Sequence, residues 1–228
     1  MMMQRDDLLS KAPVTLTLDK APAANKVLRN TYLLLSLTLL FSAFTATIAV
    51  VTQAPPLHWL VTLAGYFGLL FVVTRLRNSA WGLAAVFALT GFLGYTLGPI
   101  LNAYLALPNG PQLVMTALAG TGIIFLALSG YAVVSRKDFS FMGAFLMVGM
   151  LVAFLASLGA VLFDLPTLSL AVSAMVILLM SGMILWQTSD IIHGGETNYI
   201  MATVTLYITL FNLFVNLLQI LGVFSSDD

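Results

Sequence analysis

The chain contains no cysteine and very little charge, and each absence excludes a class of protein. Without cysteine, disulfides, thiolate metal sites and thiol catalysis are all impossible. Only 8% of the 228 residues are charged, whereas ordinary soluble domains carry about 25%. Such a chain has too few polar side chains to cover a water-soluble globule. The net charge is zero, which gives no electrostatic reason to expect a nucleic-acid partner.

The motifs of common enzyme classes are also absent. The sequence has no Gly-Lys-Ser/Thr phosphate loop, no His-Glu-x-x-His zinc motif and no Gly-x-Ser-x-Gly elbow. Its only histidines are His58 and His193, and no apolar stretch carries a carboxylate deep inside it. An intramembrane protease or metalloenzyme would need such groups. We therefore expect no catalytic residue, no bound metal and no cofactor.

Long apolar stretches dominate the chain instead. Hydrophobic residues make up 60% of it, and an apolar helix of roughly 20 residues is long enough to cross a bilayer. Short links with turn-forming residues, such as Pro55-Pro56, separate the stretches. The sequence predicts an all-α membrane protein, a bundle of seven transmembrane helices. The predicted spans are residues 31–51, 58–74, 81–105, 113–134, 141–163, 168–188 and 200–223.

Little of the chain lies outside these spans. The predicted transmembrane domain covers residues 27–223, and a short C-terminal tail covers residues 224–228. Residues 1–26 are polar and form the predicted cytoplasmic N-terminal tail, of which residues 1–24 are expected to be unstructured. This segment lacks the apolar core of a signal peptide, so we expect the first span to be an uncleaved membrane anchor.

The basic residues indicate which links face the cytoplasm. They lie before the first span, between spans two and three, and between spans four and five, while the alternate links contain none. Since cytoplasmic links are enriched in Lys and Arg, the N-terminus is predicted to be cytoplasmic. Seven spans then place the C-terminus on the periplasmic side, whereas a re-entrant last segment would return it to the cytoplasm. The basic residues are Arg5, Lys11, Lys20, Lys26, Arg29, Arg75, Arg77, Arg136 and Lys137.

Polar residues form a stripe along the last span. Their alternating spacings of four and three residues place them on one helix face. Because lipid cannot satisfy polar side chains, the stripe is predicted to face protein or a water-filled cavity. Two interpretations remain open, interhelical hydrogen bonding within the bundle or the lining of a pore or binding cavity. The stripe consists of Thr205, Thr209, Asn212, Asn216 and Gln219.

The third span carries a run of glycines before a proline. Gly91, Gly94 and Gly98 share one side of the helix, where another helix can approach closely. Pro99 removes a backbone hydrogen bond and is expected to kink the helix. The pattern is typical of tight packing around a kink, and a hinge or gate is the alternative.

The link after the sixth span contains three titratable residues at close spacing. Asp190 and His193 share a helical face, and Glu196 follows within the link. One interpretation is helix capping, in which Gly194 ends the sixth span and Thr197 or Asn198 begins the seventh. The alternative is a proton or divalent-ion sensor. Its candidate residues are Asp190, His193 and Glu196.

Several segments resemble the Bax inhibitor-1 family. Residues 90–101 read TGFLGYTLGPIL, residues 185–192 read LWQTSDII and residues 206–214 read LYITLFNLF. The resemblance extends from about residue 25 to residue 222, and residues 26–32 and 191–200 resemble the bacterial YccA-type subgroup. It implies a multi-pass protein of the bacterial inner membrane whose partner is the lipid bilayer, with six helices around a central seventh.

The resemblance also brings a first function, because several family members are pH-sensitive calcium leak channels. Their gate resembles a pair of carboxylates on spans six and seven, and the matching positions here are Gln187 and Thr209. Neither side chain ionises, so this chain is expected to lack the coupled carboxylate pair that would share a proton and bind calcium. The candidate pore or polar-core residues are Gln187, Thr205, Thr209, Asn212 and Asn216.

The second function implied by the resemblance concerns protein quality control. YccA-type members are associated with FtsH, a membrane-anchored ATP-dependent protease, and are similar to slow substrates that occupy and restrain it. FtsH needs an exposed cytoplasmic segment to begin pulling, and residues 1–24 are expected to supply one. The function expected first is therefore modulation of the FtsH protease complex by binding or occupying it. A pH-sensitive calcium or cation leak channel is the alternative.

Overall fold

Helices are the regular elements throughout residues 20–225, the part of the chain that the computed structural model describes. Each of the seven is long and apolar enough to cross a membrane. The predicted fold class is confirmed, and the protein is a multi-pass membrane protein. The helices are α1 (Lys20–Val51), α2 (Trp59–Leu76), α3 (Trp81–Leu105), α4 (Gly110–Ser135), α5 (Met142–Leu162), α6 (Pro166–His193) and α7 (Tyr199–Ser225).

The first helix begins earlier than the sequence pattern predicted. It starts at Lys20 rather than at residue 31, so residues 20–24 are helical and not unstructured. This stretch is rich in alanine, the strongest helix former, and proline is tolerated in the first helical turn. Charged residues such as Lys26 end the apolar run without ending the helix. Residues 1–19 of the predicted tail, and residues 226–228 at the other end, lie outside the described part.

Turn residues end and begin helices at the predicted links. Pro111 and Pro166 occupy the first turns of α4 and α6, where the missing amide proton costs no helical hydrogen bond. Gly194 follows α6 in the left-handed region, with φ of 78°. Its amide bonds back to the Asp190 and Ile191 carbonyls, so the helix ends there as the capping interpretation predicted.

Helix α7 lies at the centre of the bundle. It packs directly against α1, α3, α4 and α6, whereas α2 packs on α3 and α5 packs on α6. The buried side of α7 includes Leu206, Tyr207, Leu210 and Leu213, which join the main apolar core with side chains of α1, α3 and α6. Helices α2 and α5 are consequently peripheral, and a gap remains between them over one face of α7.

The glycines of α3 form the surface on which α1 packs. A Cβ atom on Gly91 would meet the Phe41 ring, and one on Gly98 would meet Ala49. At Gly94 the obstacle is less adaptable, since a Cβ would overlap the Ser42 carbonyl oxygen and the Thr45 hydroxyl. The absence of side chains therefore sets the distance between α1 and α3. Pro99 lies inside α3, which continues to Leu105, and the hinge or gate stays a prediction.

Candidate functional site

The polar stripe of α7 borders a cavity of about 600 Å³, here called the polar cavity. All five stripe residues line it, and its other walls are formed by α2, α5 and α6. Polar side chains also come from these walls, so the cavity is polar on more than one side. The wall residues that contribute polar atoms are Tyr66, Thr74, Ser157, Ser169 and Ser173.

Most hydrogen bonds of the stripe stay within α7. Three of its side chains donate at 2.8 Å to carbonyl oxygens one turn earlier: Thr209 to Thr205, Asn212 to Ile208, and Asn216 to Asn212. The bond that leaves the helix is from the Gln219 amide to the Ser169 hydroxyl on α6, at 2.7 Å. Interhelical bonding therefore accounts for the C-terminal end of the stripe, at Gln219, and the other side chains face the polar cavity.

The two asparagines present unused acceptors to the polar cavity. Within residues 20–225 no group donates to Oδ1 of Asn212 or of Asn216. Across that same part of the chain, the Thr31 hydroxyl is the fully buried side-chain N or O atom that has no hydrogen-bond partner. The two asparagine oxygens also lack a donor, and they are therefore not fully buried. Among residues 20–225, no Asp, Glu, Lys or Arg lines the cavity. The side of the cavity formed by the α7 stripe is therefore uncharged and rich in acceptors, whereas most of the remaining wall is apolar, with side chains such as Phe154 and Leu179.

A second cavity meets the first at Asn212. It has a volume of about 460 Å³ and lies among the α1–α2 link, α2, α3 and α7. Tyr66, Ile208 and Asn212 line both cavities. These three residues therefore border both spaces, and the two cavities are neighbours along α7.

Gln187 and Thr209, the positions that match the family's carboxylate pair, are both buried. Gln187 is 3% exposed and Thr209 is 2% exposed. Thr209 lines the polar cavity, whereas Gln187 lies one helical turn beyond Met183 and lines neither cavity. Thr209 donates to Thr205, and no hydrogen bond joins it to Gln187 in the described part of the chain. The two side chains therefore do not form a hydrogen-bonded pair at the positions that match the family's carboxylates.

Of the candidate sensor residues, Asp190 and His193 lie in the last turn of α6 and Glu196 lies in the α6–α7 link, and each has local partners. Nδ1 of His193 is 2.8 Å from the Ser189 carbonyl oxygen, one turn back in α6. The Asp190 carbonyl accepts the Gly195 amide at 2.9 Å, and the Glu196 carboxylate accepts the Asn198 amide at 2.7 Å. In the described ranges, no group of three His, Cys, Asp or Glu residues is arranged to hold a metal ion.

A further carboxylate, Asp138, lies on the same side of the bundle in the α4–α5 link. The hydroxyl and the amide of Ser140 both donate to it, the amide at 2.9 Å. These hydrogen bonds lower the pKa of Asp138, and the charge of His193 contributes in the same direction. Asp138 is therefore ionised at neutral pH. The sequence analysis did not single it out, because its neighbours along the chain give no motif.

Asn198 connects the α6–α7 link with the α2–α3 link, which the sequence pattern showed only in part. Its Oδ1 accepts the amides of Ile200 and Met201 at 3.0 and 3.1 Å, so Asn198 caps α7. Its Nδ2 donates to the Arg77 carbonyl at 3.0 Å and to Asn78 Oδ1 at 2.9 Å. Capping was foreseen for Thr197 or Asn198. The contact with the α2–α3 link was not, since it depends on how the helices assemble.

The walls of the polar cavity were also missed by sequence reasoning. Ser157, Ser169 and Ser173 are isolated serines in apolar helices, so no periodic pattern marks them individually. The spacing of four residues between Ser169 and Ser173 is a weak signal that both share one face of α6. Only the packing of α5 and α6 beside α7 brings these hydroxyls to the stripe.

Comparison with known proteins identifies the family. The family model described as inhibitor of apoptosis-promoting Bax1 matches residues 24–226. The chain belongs to the Bax inhibitor-1 family. The match covers all seven transmembrane helices except the first turn of α1. The family resemblance drawn from the glycine-proline run and from the segments of α6 and α7 is confirmed.

Individual bacterial members of the Bax inhibitor-1 family are closely similar along their whole length. The chain is 52% identical over 202 residues to an uncharacterized protein of Pseudomonas aeruginosa, covering 89% of this chain and 91% of that one. It is 51% identical over 205 residues to the modulator of FtsH protease YccA of Escherichia coli, covering 90% and 93%. An uncharacterized membrane protein of Vibrio cholerae is 43% identical over 215 residues, covering 94% and 96%.

Proposed function

We propose that this protein modulates membrane-protein quality control in the bacterial inner membrane by binding or occupying the FtsH protease. The observation that carries the proposal is the 51% identity, over 90% of the chain, to the Escherichia coli protein named modulator of FtsH protease YccA. The similarity covers 93% of that protein as well. The whole bundle is therefore shared, rather than one helix or one link.

The attachment of α1 supports a role as a slowly processed occupant of the protease. A protease that starts from the N-terminal side must first separate α1 from its neighbours. Gly94 lets α1 pack against α3 without intervening side chains. The Ser42 hydroxyl of α1 lies 2.6 Å from the Tyr207 hydroxyl of the central helix. Extraction of α1 has to break both contacts at once, which raises the barrier to unfolding.

The same proposal includes a topology and a division into segments. Residues 1–26 form a cytoplasmic N-terminal tail, residues 27–223 the membrane domain, and residues 224–228 a periplasmic tail. Support comes from Arg136 and Lys137, which follow α4 at the end predicted to be cytoplasmic. A single cysteine replacing Lys137 should resist a membrane-impermeant maleimide added from outside, whereas one replacing Gln112 should react. The reverse labelling pattern would show that the chain has the opposite orientation in the membrane.

Degradation in a reconstituted system tests the main proposal. Purified FtsH in proteoliposomes is given a membrane-protein substrate, with or without this protein, and substrate half-life is measured. A modulator that occupies the protease should lengthen the half-life in proportion to its concentration. A variant lacking residues 1–19 keeps α1 whole and should be degraded more slowly itself if FtsH begins there. An unchanged substrate half-life at every concentration would refute modulation.

The alternative function is a calcium or cation leak pathway. The observation that favours it is the pair of cavities that meet at Asn212, bordered by Tyr66 and Ile208. Thr205, Thr209 and Asn216 extend the polar lining along α7. No carboxylate among the described residues lines this pathway, so those residues do not supply the charge that would attract a divalent cation.

A further inference from the structure

The polar cavity extends along most of the membrane-crossing length of α7. Its α7 lining begins at Met201 and ends at Gln219. That stretch is about 27 Å long at 1.5 Å per residue, close to the hydrocarbon thickness of roughly 30 Å. The polar cavity is therefore a long slot parallel to the helices, and a compact ligand would occupy only a fraction of it.

This slot opens sideways between two peripheral helices. Helices α2 and α5 form its opposite walls, yet they are not a closely packed pair within the described part of the bundle. Wall residues remain exposed on both sides, including Thr74 on α2 and Ser157 on α5. Phe154 at the α5 edge is 64% exposed. Because both helices cross the membrane, the opening faces the lipid hydrocarbon.

The α7 stripe, which forms the polar side of the slot, is poorly matched to lipid tails and to cations, while most of the remaining wall is apolar. Lipid tails cannot donate to the Oδ1 atoms of Asn212 and Asn216, and an unsatisfied polar group in hydrocarbon is costly. The hydroxyl of Thr205 also has no partner within residues 20–225. Because the described part of the chain contributes no carboxylate to the lining, a cation would gain no charge compensation there. The slot fits an elongated, uncharged occupant that carries hydrogen-bonding groups.

We propose that the polar cavity docks one face of a transmembrane helix from another membrane protein, a helix that carries uncharged polar side chains near the middle of the bilayer. A whole helix of this length and about 10 Å diameter would need roughly 2,000 Å³, so the cavity of about 600 Å³ receives side chains of one face only. Asn, Gln, Ser or Thr on that face would donate to Asn212 and Asn216. The inference rests on the proposed function, since it supplies a contact surface for a membrane protein that FtsH processes.

A designed helix tests the docking without any protease. The protein is reconstituted in liposomes with a synthetic Leu/Ala transmembrane helix that carries two Asn residues four apart at its centre and one cysteine. A matched helix has Leu in place of both Asn residues. The chain has no cysteine of its own, so Ser157→Cys at the cavity wall can report disulfide formation. Leu155→Cys, on the exposed outer face of α5, is the control position.

The Asn helix should form several-fold more disulfide with Ser157→Cys than the Leu helix does, and the two should be equal at Leu155→Cys. Adding Asn212→Leu and Asn216→Leu should lower the Asn-helix yield by roughly threefold for each hydrogen bond lost. The comparison between the two helices uses the unaltered cavity floor, so it stands even if that double variant folds poorly.

Other occupants give distinguishable results. Equal yields for the Asn and Leu helices at Ser157→Cys would overturn the proposal. Reaction of Ser157→Cys with a water-soluble maleimide, with no protection by the Asn helix, would show a water-filled slot and would also overturn it. So would labelling by a photoactivatable lipid that the Asn helix fails to reduce. Because FtsH is absent, failure here leaves protease modulation standing, and failure of modulation leaves helix binding measurable.

Discussion

The hydroxyl oxygens of Tyr207 and Ser42 lie 2.6 Å apart where the central helix α7 passes α1. The Tyr207 hydroxyl donates to the Thr90 carbonyl oxygen on α3 at 3.1 Å, so Ser42 is the donor in the first bond. Tyr207 is 1% exposed. One side chain therefore ties α7 to both α1 and α3 in the interior of the bundle.

Tyr207→Phe should lower the free energy of unfolding by about 1 kcal/mol, since interhelical hydrogen bonds in membranes contribute about 0.6 kcal/mol each on average. The ring stays in place, so the loss reports the hydrogen bonds rather than packing. Unfolding in mixed detergent micelles measures the difference. Tyr131→Phe is the control, because Tyr131 is 48% exposed. Equal stability of the two variants would mean that the Tyr207 hydroxyl contributes nothing.

Gly94→Ala should destabilise the bundle by about 1–3 kcal/mol, the usual effect of overpacking. The added methyl group overlaps the Ser42 carbonyl oxygen, which is backbone and cannot rotate away. Thermal unfolding in detergent gives the comparison. Gly159→Ala is the matched control, since a Cβ there meets nothing within 4 Å. If both variants melt with the wild type, α1 and α3 are not held at the distance that the structure shows.

Asn198 allows its two roles to be separated by substitution. Asn198→Ala removes the cap of α7 and the donor to the α2–α3 link, and should cost about 1 kcal/mol for the cap alone. Asn198→Asp keeps an acceptor for the Ile200 and Met201 amides but loses the donor to Arg77. Hydrogen exchange should therefore quicken at both sites in the first variant and only in the α2–α3 link in the second.

The control for this pair is Thr197→Ala, an exposed neighbour that keeps both contacts of Asn198. Its exchange rates should equal those of the wild type. If Asn198→Asp also speeds exchange at Ile200 and Met201, the cap of α7 depends on the contact with the α2–α3 link, and the two roles of Asn198 are not independent.

Calcium flux separates the two functions considered for this protein. We expect wild-type protein in liposomes to give no pH-dependent calcium entry, because neither Gln187 nor Thr209 can ionise. The double variant Gln187→Asp/Thr209→Asp introduces carboxylates at the two positions that match the family's pair, and should leak calcium more at alkaline than at acidic pH because ionised carboxylates attract the cation. A fluorescent calcium indicator inside the liposomes measures entry. A pH-dependent leak through the wild type would favour conduction over protease modulation.

The number and identity of the helices were predictable because span length depends on bilayer thickness, which acts on each segment alone. Helix α5 illustrates this, with residues 141–163 predicted and Met142–Leu162 observed. The start of α1 was misplaced for a related reason. Hydropathy marks where the hydrocarbon layer ends, whereas the helix continues through Lys26 and Arg29 because backbone hydrogen bonding does not require apolar side chains.

The candidate site was predictable only from one side. The stripe from Thr205 to Gln219 follows from helical periodicity, which is local. Its opposite wall, including Ser157, depends on which helices surround α7, and that is decided by contacts far apart in the chain. The bond between Asn198 and Asn78 joins residues 120 positions apart. No spacing rule reaches across that separation.

The central position of α7 sets an order for biogenesis. A ribosome completes the other six helices before it makes α7, so α1, α3, α4 and α6 enter the bilayer without the helix that they all contact. The side chains of α7 are the last to be added to the main apolar core, and two of them, Leu206 and Leu213, are 0% exposed in the finished bundle. Assembly therefore waits for the synthesis of α7, and a chain interrupted before residue 199 would leave its membrane-inserted helices without the helix that they share.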